Sequence, residues 1–295
     1  MKRKILIIGA HGFLGSSLWS YIKKNHKRYS LYGISRRPKG KNRCIYVCNI
    51  NHAHKLKDIL LRVKPDIIFN LAGGRIPNKK KLYQSNLIAT STLLKIIGEI
   101  EEFSPRVIIA GTAAEYGMPR RGNGTMRETS IAKPVTWYGF VKLLQTNLSL
   151  QYAQNGLDVI VVRMFNVLGK GTSPDLVWGK FSHEIALIEQ KKKEPILKTG
   201  DLSSKRDYLD VEDICSALIG VAQKGKSGQV YNICSGQSST IRELLNQLLN
   251  LSKVKNIQIV EQKYRSSDSC DVIGSPAKLS RIAQWKPKKG LRKSY

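Results

Sequence analysis

The sequence predicts an α/β chain organised on a doubly wound parallel sheet, with a smaller C-terminal α/β lobe. Three observations carry this. Ile5-Leu6-Ile7-Ile8 is an unbroken aliphatic run, the pattern of a strand covered on both faces. It passes directly into Gly9-Ala10-His11-Gly12-Phe13-Leu14-Gly15, a glycine-rich turn that opens a helix. Strand-like and helix-like segments then alternate as far as residue 165, beyond which the elements become shorter and irregular. The expected division is a Rossmann-like domain over 1–165 and a mainly separate lobe over 166–295, some of whose segments return to the main sheet.

Each early element has a local justification. In the turn, Gly9 permits the tight bend, Gly12 lets backbone approach a pyrophosphate, and Gly15 lets the helix from Phe13 to about Asn25 pack closely. Its amide-rich start, at Phe13 and Leu14, then faces the anion. The second strand, about 30–34, ends in Ser35-Arg36-Arg37, where an NAD-selective site carries an acid for the ribose hydroxyls. Two arginines there suit a 2′-phosphate, so Arg36 and Arg37 point to NADP (as NADPH) over NAD. After a short strand at 44–47, Asn49 and Ile50 suit contact with adenine, although Asn49 also suits capping of the next helix. The fourth strand leads into Leu71-Ala72-Gly73-Gly74, small residues beside which a cofactor fits. A long helix over about 79–100 and a strand over 106–110 follow, ending in Gly111-Thr112. In a parallel sheet Thr112 and the glycine turn share one edge.

The sequence holds one Tyr-x-x-x-Lys, Tyr138 to Lys142, at the start of a helix running to about residue 154. Residues four apart share a helix face, so the ammonium is expected beside the phenol, favouring the phenolate and drawing its pKa of about 10 toward neutrality. Such a tyrosine protonates an alkoxide as it forms. A solvated helix face shows the same spacing; the glycine turn, Thr112 and their order favour the chemical reading.

Composition narrows the partners. The chain has 295 residues, 41% of them hydrophobic, enough for a large core. Its net charge of +29 suits nucleic acid, an anionic membrane or a phosphorylated substrate. The basic clusters at 1–4, 36–43, 79–81, 191–193 and 286–293 mostly fall between periodic segments and lack interleaved aromatics, so they read as solvated loops, with neither nucleic acid nor membrane as partner. Five cysteines without a Cys-x-x-Cys spacing make a disulfide framework or metal site unexpected. The N-terminal apolar stretch is interrupted by His11 and three glycines, and no apolar run reaches the roughly 20 residues that span a bilayer, so a cytoplasmic protein is expected.

Taken together, Gly9-x-x-Gly12-x-x-Gly15, Thr112, Tyr138-x-x-x-Lys142, Arg163-Met164-Phe165-Asn166 and Arg206-Asp207-Tyr208-Leu209-Asp210-Val211-x-Asp213 resemble the extended short-chain dehydrogenase/reductase family acting on nucleotide sugars. The likeness runs from residue 4 to about 287. Within it, Thr112-Ala113-Ala114-Glu115-Tyr116-Gly117, Gly200-Asp201-Leu202-Ser203 and Arg265-Ser266-Ser267-Asp268 resemble the GDP-4-dehydro-6-deoxy-D-mannose reductases.

The resemblance implies roles. Thr112 bonds the sugar carbonyl, Tyr138 donates the proton, and Lys142 holds the nicotinamide ribose and tunes Tyr138. Asn166, Arg206 and Arg265 bind the sugar nucleotide, the arginines through its diphosphate; Arg206 also suits an ion pair with Asp207 or Asp210. Dehydratases of this family carry an Asp-Glu pair where this chain has Ala113 and Ala114, which disfavours water elimination. The expectation is therefore an NADPH-dependent 4-ketoreductase of a nucleotide-linked 4-keto-6-deoxy sugar, and the family's usual dimer implies a homodimer through the helices around 79–100 and 138–154. The alternatives are a 4-epimerase with retained NAD and a non-catalytic dinucleotide-binding protein with a basic surface. Trp137 stands where the family has a small residue or proline, and Thr112 where serine is more frequent.

Overall fold

The structure, a computed structural model, describes residues 2–37, 40, 42–118, 124–262 and 271–288. β1 (Arg3–Ile8) runs through the glycine turn into α1 (Phe13–Asn25), followed by β2 (Tyr29–Ser35), β3 (Ile45–Val47), α2 (Ala53–Val63) and β4 (Ile67–Asn70). α3 (Lys79–Tyr83) continues through a π turn, Gln84–Ile88, into α4 (Ala89–Gly98). β5 (Arg106–Thr112) ends on a 3-10 turn, Ala113–Glu115, and α5 (Trp137–Gln154) leads to β6 (Val159–Met164). Then come β7 (Asn166–Leu168), α6 (Val177–Glu189), β8 (Ile196–Thr199), β9 (Lys205–Asp210), α7 (Val211–Lys224), β10 (Val230–Ile233), β11 (Ser238–Thr240), α8 (Ile241–Leu251), β12 (Gln258–Glu261) and α9 (Ala277–Ala283).

The main sheet has seven strands in the order β10-β6-β5-β4-β1-β2-β3, every pair parallel. Its order reverses at β1: the chain moves outward to β2 and β3, then crosses to β4 and works outward on the other side. The crevice at the carboxyl ends of β1 and β4 is where a doubly wound sheet receives a ligand. The aliphatic run of β1 follows from two-sided burial. Ile5 and Ile7 pack with Leu18 and Ile22 of α1 and Ile214 and Leu218 of α7. Leu6 and Ile8 pack on the opposite core with Leu56 and Leu60 of α2 and Leu93 and Leu94 of α4.

Chain beyond residue 166 contributes to this layer, for β10 extends the sheet beside β6 and α7 packs against α1. The rest forms two small sheets, β11-β9-β7 and β12-β8, with a satellite core that includes Phe181, Ile185, Leu197 and Leu245. No helix among the described residues is long and apolar enough to cross a membrane.

One departure from periodicity bears on the site. The segment that reads as a single helix over 79–100 contains the π turn, and Asn86 at its centre is buried. Its amide donates to Leu82 O at 2.8 Å and Gly74 O at 3.2 Å, and its oxygen accepts from Gly74 N at 3.2 Å. The loop after β4 is thereby clamped to the helix.

The glycine turn is built for close approach. Gly9 has φ +86°, and Gly12 N donates to Gly9 O at 2.8 Å. A Cβ on Gly15 would stand 2.1 Å from Gly9 O, so α1 seats on the turn only because that atom is missing. Gly15→Ala is expected to lower stability by about 1–3 kcal/mol, the usual cost of overpacking, seen as a reduced denaturation midpoint at constant slope. An unchanged midpoint would show that the turn yields.

Candidate active site

A cavity of about 630 Å³ opens at the carboxyl ends of β1, β2 and β4. Of the residues expected to hold a dinucleotide, Gly9, Gly12, Arg36, Arg37, Asn49, Ile50, Leu71, Ala72 and Gly73 line it. Phe13 and Leu14 instead pack, half-buried, on the α1 side of the core, and Gly15 is the buried seat of α1. Sequence reasoning passed over His11, Ser35 and Lys81 as lining residues. His11 Nδ1 lies 3.1 Å from Arg37 O, and Ser35 Oγ donates to the same carbonyl at 3.1 Å, so the backbone of Arg37 is held in place. With its side-chain-free glycine cradle and two exposed guanidinium groups, the cavity fits a dinucleotide phosphate.

Thr112, Tyr138 and Lys142 do not line this cavity; they meet where β5 and α5 adjoin. Thr136 caps α5, its Oγ1 accepting from Gly139 N at 3.1 Å, which sets Tyr138 in the first turn. Tyr138 is half-buried, and the Thr112 side chain acts on its phenol. Burial pushes the phenol pKa up; the Thr112 side chain lowers it, Glu115 raises it and Arg75 lowers it.

The expected pairing of Lys142 with the phenol is corrected here. The Lys142 ammonium turns inward, donating to Ala110 O on β5 and to Gln145 Oε1 at 2.8 Å. Burial pushes its pKa down to about 8, opposed by the charge of Glu115. Desolvation therefore favours the uncharged form of both side chains, and the phenol pKa moves further from neutral pH rather than toward it.

Behind them lies a group the sequence reading missed. Glu115 is fully buried, and its carboxylate accepts from Thr112 N at 2.9 Å, Thr146 Oγ1 at 2.9 Å and Arg163 Nε at 2.7 Å. The spacing Thr112-x-x-Glu115 is that of a capping box, a signal the sequence does contain.

The substrate-side candidates fall on the small sheet. Asn166 opens β7, is exposed, and donates through Nδ2 to Asp207 O at 3.0 Å. Arg206, half-buried on β9, donates through Nη1 to Lys205 O at 2.7 Å. The Asp207 carboxylate accepts from Ser235, Gly236 and Gly274, while Asp210 caps α7 by accepting from Glu212 N. Arg265 lies outside the described residues.

The chain is 29% identical to GDP-6-deoxy-D-mannose reductase of Pseudomonas aeruginosa over 302 aligned positions, covering all of this chain and 95% of that protein. It is 26% identical to GDP-6-deoxy-D-talose 4-dehydrogenase of Aggregatibacter actinomycetemcomitans, covering 95% and 90% of the two chains. Its fold superposes on the structure of RMD from Pseudomonas aeruginosa complexed with NADPH with a TM-score of 0.88 at 29% identity, over 99% and 96% of the chains. The sequence profile of the NAD dependent epimerase/dehydratase family matches residues 5–234, from the aliphatic first strand past the Tyr-x-x-x-Lys helix to β10, and the chain belongs to that family.

Proposed function

We propose that this chain is an NADPH-dependent oxidoreductase that reduces the C4 carbonyl of a nucleotide-linked 4-keto-6-deoxy hexose. The observation that carries the reading is the Thr112 side chain, at the carboxyl end of β5, acting on the Tyr138 phenol, with only methyl groups at Ala113 and Ala114 beside it. Two neighbouring hydroxyls can each turn an O–H to one carbonyl oxygen, while an alanine neither gives nor takes a proton. The full-length likeness to a GDP-6-deoxy-D-mannose reductase supports the same substrate class, and the neighbouring structure complexed with NADPH supports the cofactor.

In this reading a bound nicotinamide dinucleotide supplies the hydride that reaches C4. Thr112 polarises the carbonyl, and Tyr138 gives its phenolic proton to the oxygen as negative charge develops there. Its raised pKa keeps the phenol protonated at neutral pH, the state an acid needs. Lys142, charged below about pH 8, holds the nicotinamide ribose. Gly9, Gly12 and the start of α1 at Phe13 and Leu14 receive the pyrophosphate, Arg36 and Arg37 the 2′-phosphate, and Asn49 and Ile50 the adenine. Asn166, Arg206 and Arg265 bind the sugar nucleotide. A homodimer through α3, α4 and α5 completes the reading, supported by Tyr83 of α3, Ile88 of the π turn before α4, and Trp137 and Phe140 of α5, large side chains left exposed.

The test is to follow NADPH absorbance with GDP-, dTDP- and UDP-linked 4-keto-6-deoxy sugars. Tyr138→Phe, which deletes only the transferable proton, is expected to lower turnover by about 10²–10⁴-fold with NADPH binding intact. Near-normal turnover in that variant would overturn the assignment. Interconversion of 4-hydroxyl epimers without net oxidation of NADPH would identify a 4-epimerase instead.

NADPH is expected to bind about tenfold or more tightly than NADH, as charge-assisted contacts to a phosphate imply. Fluorescence titration of both cofactors checks this, and an equal preference after Arg36→Ala with Arg37→Ala would remove those residues from the site.

Reduction is expected to hold steady through neutral pH and to fall above about pH 8 as the Lys142 ammonium loses its proton. The raised pKa of Tyr138 adds no loss in that range. Lys142→Arg, charged throughout, should move the alkaline fall upward by more than a unit if it turns over at all, measured as kcat against pH; a fall that stays near the wild-type position would assign it to another group.

A further inference from the structure

We propose that Glu115 is a positioning residue that ties Thr112 and Lys142 into one buried charge network spanning β5, α5 and β6. Its fully buried carboxylate uses one oxygen for the Thr112 backbone and the other for Thr146 and Arg163. Thr146 lies one turn beyond Lys142, so the carboxylate is joined to the helix that carries the ammonium as well as to the strand that carries the hydroxyl. The fit is close: a Cβ on Gly111 would stand 2.7 Å from Glu115 Oε1. The dependence of turnover on this network rests on the functional reading above, whereas the charge state of Lys142 does not.

The other charges around α5 are engaged elsewhere. Lys79 of α3 lies over the Trp137 ring, Lys95 of α4 pairs with Glu99, and Arg106 of β5 pairs with Asp158. Lys80, Lys81 and Tyr83 of α3 are exposed, and the Tyr116 hydroxyl donates to Asn232. Arg75 acts on Tyr138, and Arg163 of β6 is paired with Glu115. The charge that acts on Lys142, and that opposes the loss of its proton on burial, is Glu115. Glutamine at this position keeps an acceptor for Thr112 N and removes the charge. Aspartate keeps the charge and shortens the reach to Thr112.

The test labels lysine Cε with carbon-13 and follows the Lys142 resonance, assigned by its loss in Lys142→Met, against pH in the protein alone. Circular dichroism establishes that each variant is folded. In Glu115→Gln the midpoint is expected to fall by about one unit or more, and in Glu115→Asp to stay near the wild-type value. In the enzyme assay the alkaline limb should follow the midpoint in Glu115→Gln, whereas Glu115→Asp should lose turnover with its limb in place. If Arg163 without its partner prevents folding of Glu115→Gln, the double variant Glu115→Gln, Arg163→Gln removes both charges and is expected to show a smaller fall in the same direction, because the cation that opposes the Lys142 charge is removed as well. A folded neutral variant with the wild-type midpoint overturns the inference, whatever substrate the enzyme takes. A shifted midpoint in a protein that reduces none of the sugars supports the network and overturns the functional reading alone.

Discussion

A carboxylate with no exposure has to be satisfied where it stands, and that constraint at Glu115 organises the region where β5, β6 and α5 adjoin. Removing one partner of a buried ion pair costs about 3–5 kcal/mol, because the other charge is left without solvent. Arg163 supplies the opposite charge from β6, and its guanidinium also stacks on the Tyr116 ring, 4.5 Å from the centroid. The Tyr116 hydroxyl then donates to Asn232 Oδ1 at 2.7 Å on β10. The backbone N–H of Thr112 is one of the donors Glu115 requires, so the position of the hydroxyl is a consequence of neutralising the carboxylate rather than an independent feature of the loop.

Burial also sorts the protonation states. It pushes the Tyr138 phenol up and the Lys142 ammonium down, each toward its neutral form. A phenol that holds its proton is prepared to give one to an oxygen gaining charge; the reverse oxidation needs the phenolate that this environment disfavours. The burial that holds the proton on the phenol thus takes it from the ammonium more readily, one environment acting oppositely on an acid and a cation.

What the sequence makes legible is what local geometry determines. The two-sided burial of β1 leaves Ile5-Leu6-Ile7-Ile8 without a polar residue, and the seat of α1 leaves glycine at position 15. The inner course of Lys142 was hidden because helical spacing fixes the face a residue leaves from, while a long flexible stem chooses where the charge arrives. Glu115 and Arg163 are 48 residues apart, and no local pattern relates them. The strands of the small sheet were equally opaque: Ser238–Thr240 and Lys205–Asp210 are short and carry polar residues without alternation, their pairing fixed by tertiary contacts. In Thr112-Ala113-Ala114-Glu115 the capping-box spacing was visible, yet an acid in a turn reads as solvated until the strand beside it is known.

That same turn bears on which reactions this scaffold admits. Its polar residues stand at its ends, Thr112 toward Tyr138 and Glu115 toward the interior, with two methyl groups between. Ala113 packs against the apolar cluster that includes Tyr116, Met126, Phe165 and Cys234. A carboxylate introduced at 113, which is partly exposed, would stand against that cluster on one side, where an unpaired charge in apolar surroundings protonates or displaces its neighbours. Elimination of water from a sugar requires an acid and a base beside the reacting carbons, so acquiring it here would demand repacking around Tyr116 and Phe165 as well as two substitutions. The apolar character of the turn is thus held by packing behind it as much as by the residues on it.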